Sequence, residues 1–131
     1  MARRVKAMAE TVATLLELQE AVKKFVDTRD WNRYHNPKDL AISIAIESAE
    51  LLEIFQWKSE ASLKNGANEI LRNRVAEELA DIIIYCANLA NIVDLDLGIA
   101  VSRKLTVNEA KYPAEKVRDS RKWEDVIQKR G

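Results

Sequence analysis

Pro37-Lys38-Asp39-Leu40-Ala41-Ile42-Ser43-Ile44-Ala45-Ile46-Glu47-Ser48-Ala49-Glu50-Leu51-Leu52-Glu53-Ile54-Phe55-Gln56-Trp57 reads as one helix with an acid on the wrong face. Asn36 can cap its start, and Pro37 suits a first helical position because its missing N–H has no intrahelical partner there. At about 100° per residue, Leu40, Leu51 and Ile54 fall within roughly 40° of Glu47. Ile44 and Glu50 lie within roughly 60° on opposite sides. Glu47 therefore sits inside the apolar stripe, whereas Glu53, about 120° away, points to the polar side. The same anomaly recurs at Glu78-Leu79-Ala80-Asp81. Leu71, Ile82, Tyr85 and Leu89 lie within about 40° of Glu78, with Asp81 about 60° away and Glu77 about 100° away. Glu47-x-x-Glu50-Leu51-x-x-Ile54-Phe55 and Glu78-x-x-Asp81-Ile82-x-x-Tyr85 thus resemble a pseudo-twofold pair of helices.

Outward from this pair the chain is helical throughout. Thr14-Leu15-Leu16-Glu17 has the form of a capping box and opens a helix to about Asp27, with Leu15, Leu18, Val22, Phe25 and Val26 near one face. Arg29-Asp30-Trp31-Asn32-Arg33-Tyr34-His35-Asn36-Pro37 follows without a period, a loop with too many large side chains for a mere connection. Asn65-Gly66 marks a turn before a third helix from about Asn68 to Val93. Asp96 can cap a fourth helix that ends before Tyr112-Pro113, since the residue preceding a proline disfavours helix. The expected organisation is a frayed segment over 1–13, a helical catalytic domain over 14–113, and a charged tail over 114–131 in which Trp123, Val126 and Ile127 are free to dock a short closing element. No strand-like alternation persists, so the expected architecture is all-α, a four-helix bundle.

Composition narrows the function. The 131 residues include 21 basic and 21 acidic side chains, with 47% hydrophobic and 32% charged residues, the balance of one soluble globular domain. Zero net charge argues against nucleic acid as the main partner, because duplex binding rests on positive charge. The single cysteine, Cys86, excludes an internal disulfide and suggests a reducing compartment. Arg3, Arg4 and Lys6 precede no apolar run, so no signal peptide is expected. The apolar run from Leu79 to Ile99 is broken by Asp81, Asn88, Asn91, Asp94 and Asp96, which excludes a bilayer span. A cytoplasmic protein is expected.

Burying a lone carboxylate costs several kcal/mol even after relaxation, and four facing one another also repel. Basic partners, protonation or a divalent cation would relieve this. Lys and Arg are sparse on both stripes, Arg74 being the nearest. A cation held by Glu47, Glu50, Glu78 and Asp81 is the better account, with partly solvated or ion-paired carboxylates as the rival. The absence of nitrogen or sulfur donors favours hard Mg²⁺, or Mn²⁺, over zinc. A di-iron bundle needs Glu-x-x-His on two helices, and the only histidine, His35, lies in the loop.

Mg²⁺ usually meets its substrate through phosphate oxygens, and Glu50 is the candidate to hold an attacking water and take its proton. Lys104, Asn108 and Lys111 recur at helical spacing and can reach phosphate or form a solvated face. Trp31, Tyr34, Trp57 and Tyr85 are candidates to contact a planar base, a stacking interaction of roughly 1–3 kcal/mol; ordinary core packing is the competing explanation for each. Acids with aromatics suggest a nucleoside polyphosphate.

The two acidic pairs, 27 residues apart between Glu50 and Glu78, resemble those of the MazG-like all-α nucleoside triphosphate pyrophosphohydrolases. Phe25-Val26-Asp27-Thr28-Arg29-Asp30-Trp31, His35-Asn36-Pro37-Lys38-Asp39-Leu40, Phe55-Gln56-Trp57 and Lys104-x-x-x-Asn108-x-x-x-Tyr112-Pro113 resemble the dCTP pyrophosphatase branch. The resemblance covers about residues 14 to 113. It implies hydrolysis between the α and β phosphorus, with Glu47, Glu50, Glu78 and Asp81 as Mg²⁺ ligands. It further implies Trp31 and Trp57 around the base, His35 on the same loop, Tyr85 as a substrate contact, and Lys104 and Asn108 on the phosphate and sugar side. Assembly as a dimer or tetramer is implied as well. Val22 stands where some relatives carry a substrate-contacting histidine, Ser48-Ala49 lacks a glycine common between the first acids, and Lys111 replaces an arginine.

The expected function is therefore Mg²⁺-dependent hydrolysis of dCTP or a modified dCTP, in balancing or cleaning the nucleotide pool. The alternatives are the same fold acting on dUTP or non-canonical triphosphates, and a non-catalytic helical module binding Mg²⁺ or nucleotide.

Overall fold

The computed structural model describes residues 11–59, 62 and 68–118. Among them are five α-helices, α1 (Leu15–Thr28), α2 (Pro37–Phe55), α3 (Glu69–Ile92), α4 (Leu97–Lys111) and α5 (Ala114–Val117), and one 3-10 turn, Asn32–Tyr34. No strand occurs among the described residues, so the all-α expectation holds there. The expected turn at Asn65-Gly66 and the apolar group Trp123, Val126 and Ile127 lie outside the described residues, as does most of the expected frayed N-terminus. Residues 114–117 of the expected tail form a helical turn. The chain divides between Asp96 and Leu97 into two compact units.

The helices of the first unit start where side chains can take up free backbone donors. Thr14 Oγ1 accepts from the Glu17 N–H at 3.1 Å, and the Glu17 carboxylate reaches back to the Ala13 N–H at 2.9 Å. Asn36 accepts from the Asp39 N–H at 2.9 Å and donates to the Asp39 carboxylate at 2.7 Å. Asn68 caps α3 through the Leu71 N–H. α1 and α3 end in one motif. Asp30 (φ 54°) and Asp94 (φ 56°) take the left-handed conformation just past the two helices. The following N–H groups, of Trp31 and Leu95, return to the carbonyls of Val26 and Ala90 at 3.1 and 2.8 Å.

α3 packs along α2 and also against α1. Val22, Val26, Leu40, Ile54, Ala87 and Ala90 are the buried apolar residues at these contacts, the two alanines allowing close approach. A polar clamp fixes α1 on the C-terminal end of α3. The buried Gln19 donates from Nε2 to Asn91 Oδ1 (3.1 Å) and to the Leu95 carbonyl (2.8 Å), and Asn91 Nδ2 returns a bond to the Gln19 carbonyl (2.9 Å). The Asp94 turn is what brings the Leu95 carbonyl back within reach.

Replacing Gln19 with leucine leaves the Leu95 carbonyl and Asn91 Oδ1 without this donor, a cost of about 1–3 kcal/mol. Gln19→Leu is expected to lower the urea midpoint accordingly while the helical circular-dichroism signal of the native state persists. An unchanged midpoint would mean that the clamp contributes nothing.

Candidate active site

α2 and α3 bring three of the four singled-out acids together. Carboxylate oxygens of Glu47, Glu50 and Glu78 all lie within 4.8 Å of one another, with Glu47 and Glu78 half-buried and Glu50 exposed. Asp81, one turn beyond Glu78, stands outside this group, yet its charge still acts on Glu47. Oε2 of Glu47 and Oε2 of Glu78 are buried without a hydrogen-bond partner. Ionised carboxylates only accept, so the cluster supplies these oxygens no donor when all its acids are ionised.

The electrostatic consequence falls on Glu47. Contact with the Glu50 carboxyl, then burial, then Glu78 push its pKa from the ordinary 4.5 up to about 7, the charges of Glu50 and Asp81 adding to the effect. Two orphaned buried oxygens within an all-oxygen cluster fit a hard divalent cation, which would satisfy both and reverse the repulsion. Arg74, the nearest base in the sequence, is exposed, and no ion pair from it to these acids is present among the described residues.

The second part of the site is a cavity of about 420 Å³ in the same unit. Its lining includes Val22, Phe25, Trp31, His35, Asp81, Ile84, Tyr85 and Asn88. The turn ending α1 aims the aromatic loop at it. Asp30 redirects the chain so that Trp31 packs edge-on against Phe25, ring centroids 5.7 Å apart, and the Arg29 guanidinium covers the Phe25 ring at 3.6 Å. Asp27 anchors the base of the loop by accepting from Lys23 at 2.7 Å and from Asn32. The bond from Lys23, then that from Asn32, holds the Asp27 carboxyl below the usual carboxylate range. The 3-10 turn then delivers His35, whose ring meets that of Trp31 edge-on at 6.3 Å.

The singled-out residues thus fall into distinct places. Glu47, Glu50 and Glu78 form the cluster; Trp31, His35, Tyr85 and Asp81 line the cavity. Trp57 stands beyond the end of α2, 88% exposed and outside the cavity lining. Lys104 and Asn108 lie one turn apart on α4 of the second unit. Several cavity residues have no site assignment in the sequence reading, among them Val22, which forms part of the wall, and Asn88. Asn88 bonds to His35 Nδ1 at 2.9 Å. The available signal for Asn88 was its spacing from Asp81 and Tyr85, which puts all three on one face of α3.

A sequence model of the MazG-like family matches residues 42–126. The chain is 35% identical to human dCTP pyrophosphatase 1 over 115 residues, covering 86% of this chain and 68% of that protein. It is 36% identical to rat dCTP pyrophosphatase 1 over 108 residues, covering 82% and 64%. Among solved structures, a pyrophosphatase from Archaeoglobus fulgidus DSM 4304 is 41% identical, with a TM-score of 0.68, covering 79% of this chain and 96% of that one. The chain belongs to the MazG-like family. With these hydrolases as its relatives, it is classed as a nucleoside triphosphate pyrophosphohydrolase. It spans about two thirds of the length of the mammalian relatives.

An acid whose pKa is raised by folding retains a proton that the unfolded chain has released. Its contribution to stability is therefore complete below 4.5 and is lost as the pH rises through about 7. In chelator-containing buffer the melting temperature is expected to fall across this window, and Glu47→Gln to flatten the fall. An identical slope in that variant would contradict the assignment.

Proposed function

We propose that this chain hydrolyses a deoxynucleoside triphosphate, dCTP or a modified dCTP foremost, between the α and β phosphorus, releasing the monophosphate and pyrophosphate. The observation that carries this reading is the position of Asp81. It lines the aromatic cavity and lies one turn from Glu78 of the acidic cluster. From Glu78 to Tyr85 the helix rises about 10 Å, on the scale of the span from a nucleobase to its phosphates. A base in the cavity would have its phosphates at the acids. The names of the mammalian relatives support dCTP as the substrate.

In this reading Glu47, Glu50, Glu78 and Asp81 hold Mg²⁺, or Mn²⁺ in its place. When bound, the cation neutralises phosphate oxygens and lowers the pKa of a coordinated water. Glu50, exposed beside the half-buried Glu47, orients the attacking water and takes its proton as water adds across the α–β bridge. Glu47, in contact with Glu50, is the second catalytic acid of this reading. Trp31 stacks on the base with His35 beside it and Tyr85 contacts the nucleotide beyond Asp81; the resemblance gives Trp57 a place at the base too, although it stands outside the cavity lining. The resemblance gives Lys104 and Asn108 the phosphate and sugar side.

The exposed Ile42 and Ile46 on α2, and Leu79 and Ile83 on α3, support assembly as a homodimer or homotetramer. No single helix among the described residues is long and apolar enough to cross a membrane. We place the chain's role in nucleotide-pool balancing or cleaning in the cytoplasm, and the zero net charge supports a nucleotide over nucleic acid as partner.

Incubation with each dNTP, with and without Mg²⁺, is expected to yield monophosphate and pyrophosphate only with the cation, dCTP reacting fastest. Glu50→Gln is expected to reduce kcat by about 10²–10⁴-fold with the helical signal intact. Faster turnover of dUTP or a non-canonical triphosphate would move the substrate, and diphosphate with orthophosphate would contradict the reaction. Binding without turnover of any triphosphate would leave the non-catalytic module.

A further inference from the structure

Asn88 has no part in the reaction just described, yet it is one of two buried polar side chains among the described residues of the first unit. It is 5% exposed, one turn beyond Tyr85 on α3, and its Nδ2 lies 2.9 Å from Nδ1 of His35 on the aromatic loop. Both residues line the cavity that also holds Trp31 and Tyr85. A carboxamide nitrogen only donates, so with a neutral ring Nδ1 must accept and the ring hydrogen must reside on Nε2. The ring nitrogen left for a ligand is then a donor.

We infer that Asn88 is a positioning residue for base recognition. By holding His35 through Nδ1 it fixes the Nε2–H tautomer, and the cavity offers a hydrogen-bond donor to the edge of a pyrimidine. This deepens the nucleotide reading of the cavity and rests on it. The chemistry favours a base whose N3 accepts, since O2 accepts in every pyrimidine and does not discriminate. Cytosine presents O2 and an unprotonated N3, whereas thymine and uracil carry a hydrogen on N3. A site built to donate there would be left facing another donor, and mismatched buried polar groups discriminate more strongly than a lost apolar contact. The aromatic rings hold any planar base, while the Asn88–His35 pair selects among them.

The chain has one histidine, so the ring nitrogens of His35 give a single set of signals in a ¹H–¹⁵N spectrum of the untagged protein. The expected result is hydrogen on Nε2, with Nδ1 as the unprotonated acceptor. A spectrum with hydrogen on Nδ1 would overturn the inference without bearing on hydrolysis, and it needs no variant. In the paired kinetic test, Asn88→Leu is expected to lower the dCTP-to-dTTP ratio of kcat/KM about fivefold to tenfold, the discrimination that one hydrogen bond carries. The change should fall mainly in KM. His35→Ala should lose a similar factor, and the double variant no more than either single one, because Asn88 acts through His35. Additive losses, or equal losses on both nucleotides, would reduce Asn88 to a packing role. Absence of pyrophosphate from every triphosphate with the wild-type protein would instead overturn the nucleotide reading, and this inference with it.

Discussion

The mutual repulsion of carboxylates held between α2 and α3 is the constraint on which the rest of the molecule turns. An apolar helix face gains by burial, and each acid placed on it gives some of that gain back. Here the acids are concentrated at one point, where Glu47 and Glu78 each leave an oxygen buried and unpartnered and where Glu47 holds its proton far above the usual range. Such a cluster is at its least stable alone and ionised. A divalent cation bound by these oxygens would turn the repulsion into attraction and so stabilise the helix pair.

The remainder of the first unit holds a second recognition surface at a fixed distance from that cluster. The left-handed turn at Asp30, the anchoring of Asp27 by Lys23 and Asn32, and the edge-on stacking of Phe25, Trp31 and His35 put an otherwise irregular loop into one conformation. The Gln19–Asn91–Leu95 clamp holds α1, which carries the loop, against α3, which carries Glu78, Asp81, Tyr85 and Asn88. α3 therefore carries both an acid of the cluster, Glu78, and three residues of the cavity wall, Asp81, Tyr85 and Asn88. A nucleotide would bind along it with little ordering left to be done.

Much of this was legible in the sequence because it depends on local rules. The 3.6-residue period and the caps at Thr14 and Asn36 set the first helices to within a residue or two, and angular arithmetic alone exposed Glu47 and Glu78 as misplaced. What remained hidden depends on residues distant in the chain. Gln19 and Asn91 are 72 positions apart and Asn88 and His35 are 53 apart, and neither polar residue breaks its helix pattern strongly enough to announce a partner. The angular reading puts Asp81 about 60° from Glu78 and groups it with the other acids as a ligand. In the fold one turn of helix moves it toward the cavity, making it the link between acids and aromatics. Trp57 was placed with Trp31 by analogy, yet it lies past the last turn of α2, where no helical rule fixes a side chain.

The most direct measurement of the central claim is anomalous scattering from crystals grown with Mn²⁺. The account predicts a peak within ligand distance of the carboxylates that would hold the ion, those of Glu47, Glu50, Glu78 and Asp81. A map without density there, with a lysine or arginine folded over the carboxylates instead, would contradict it.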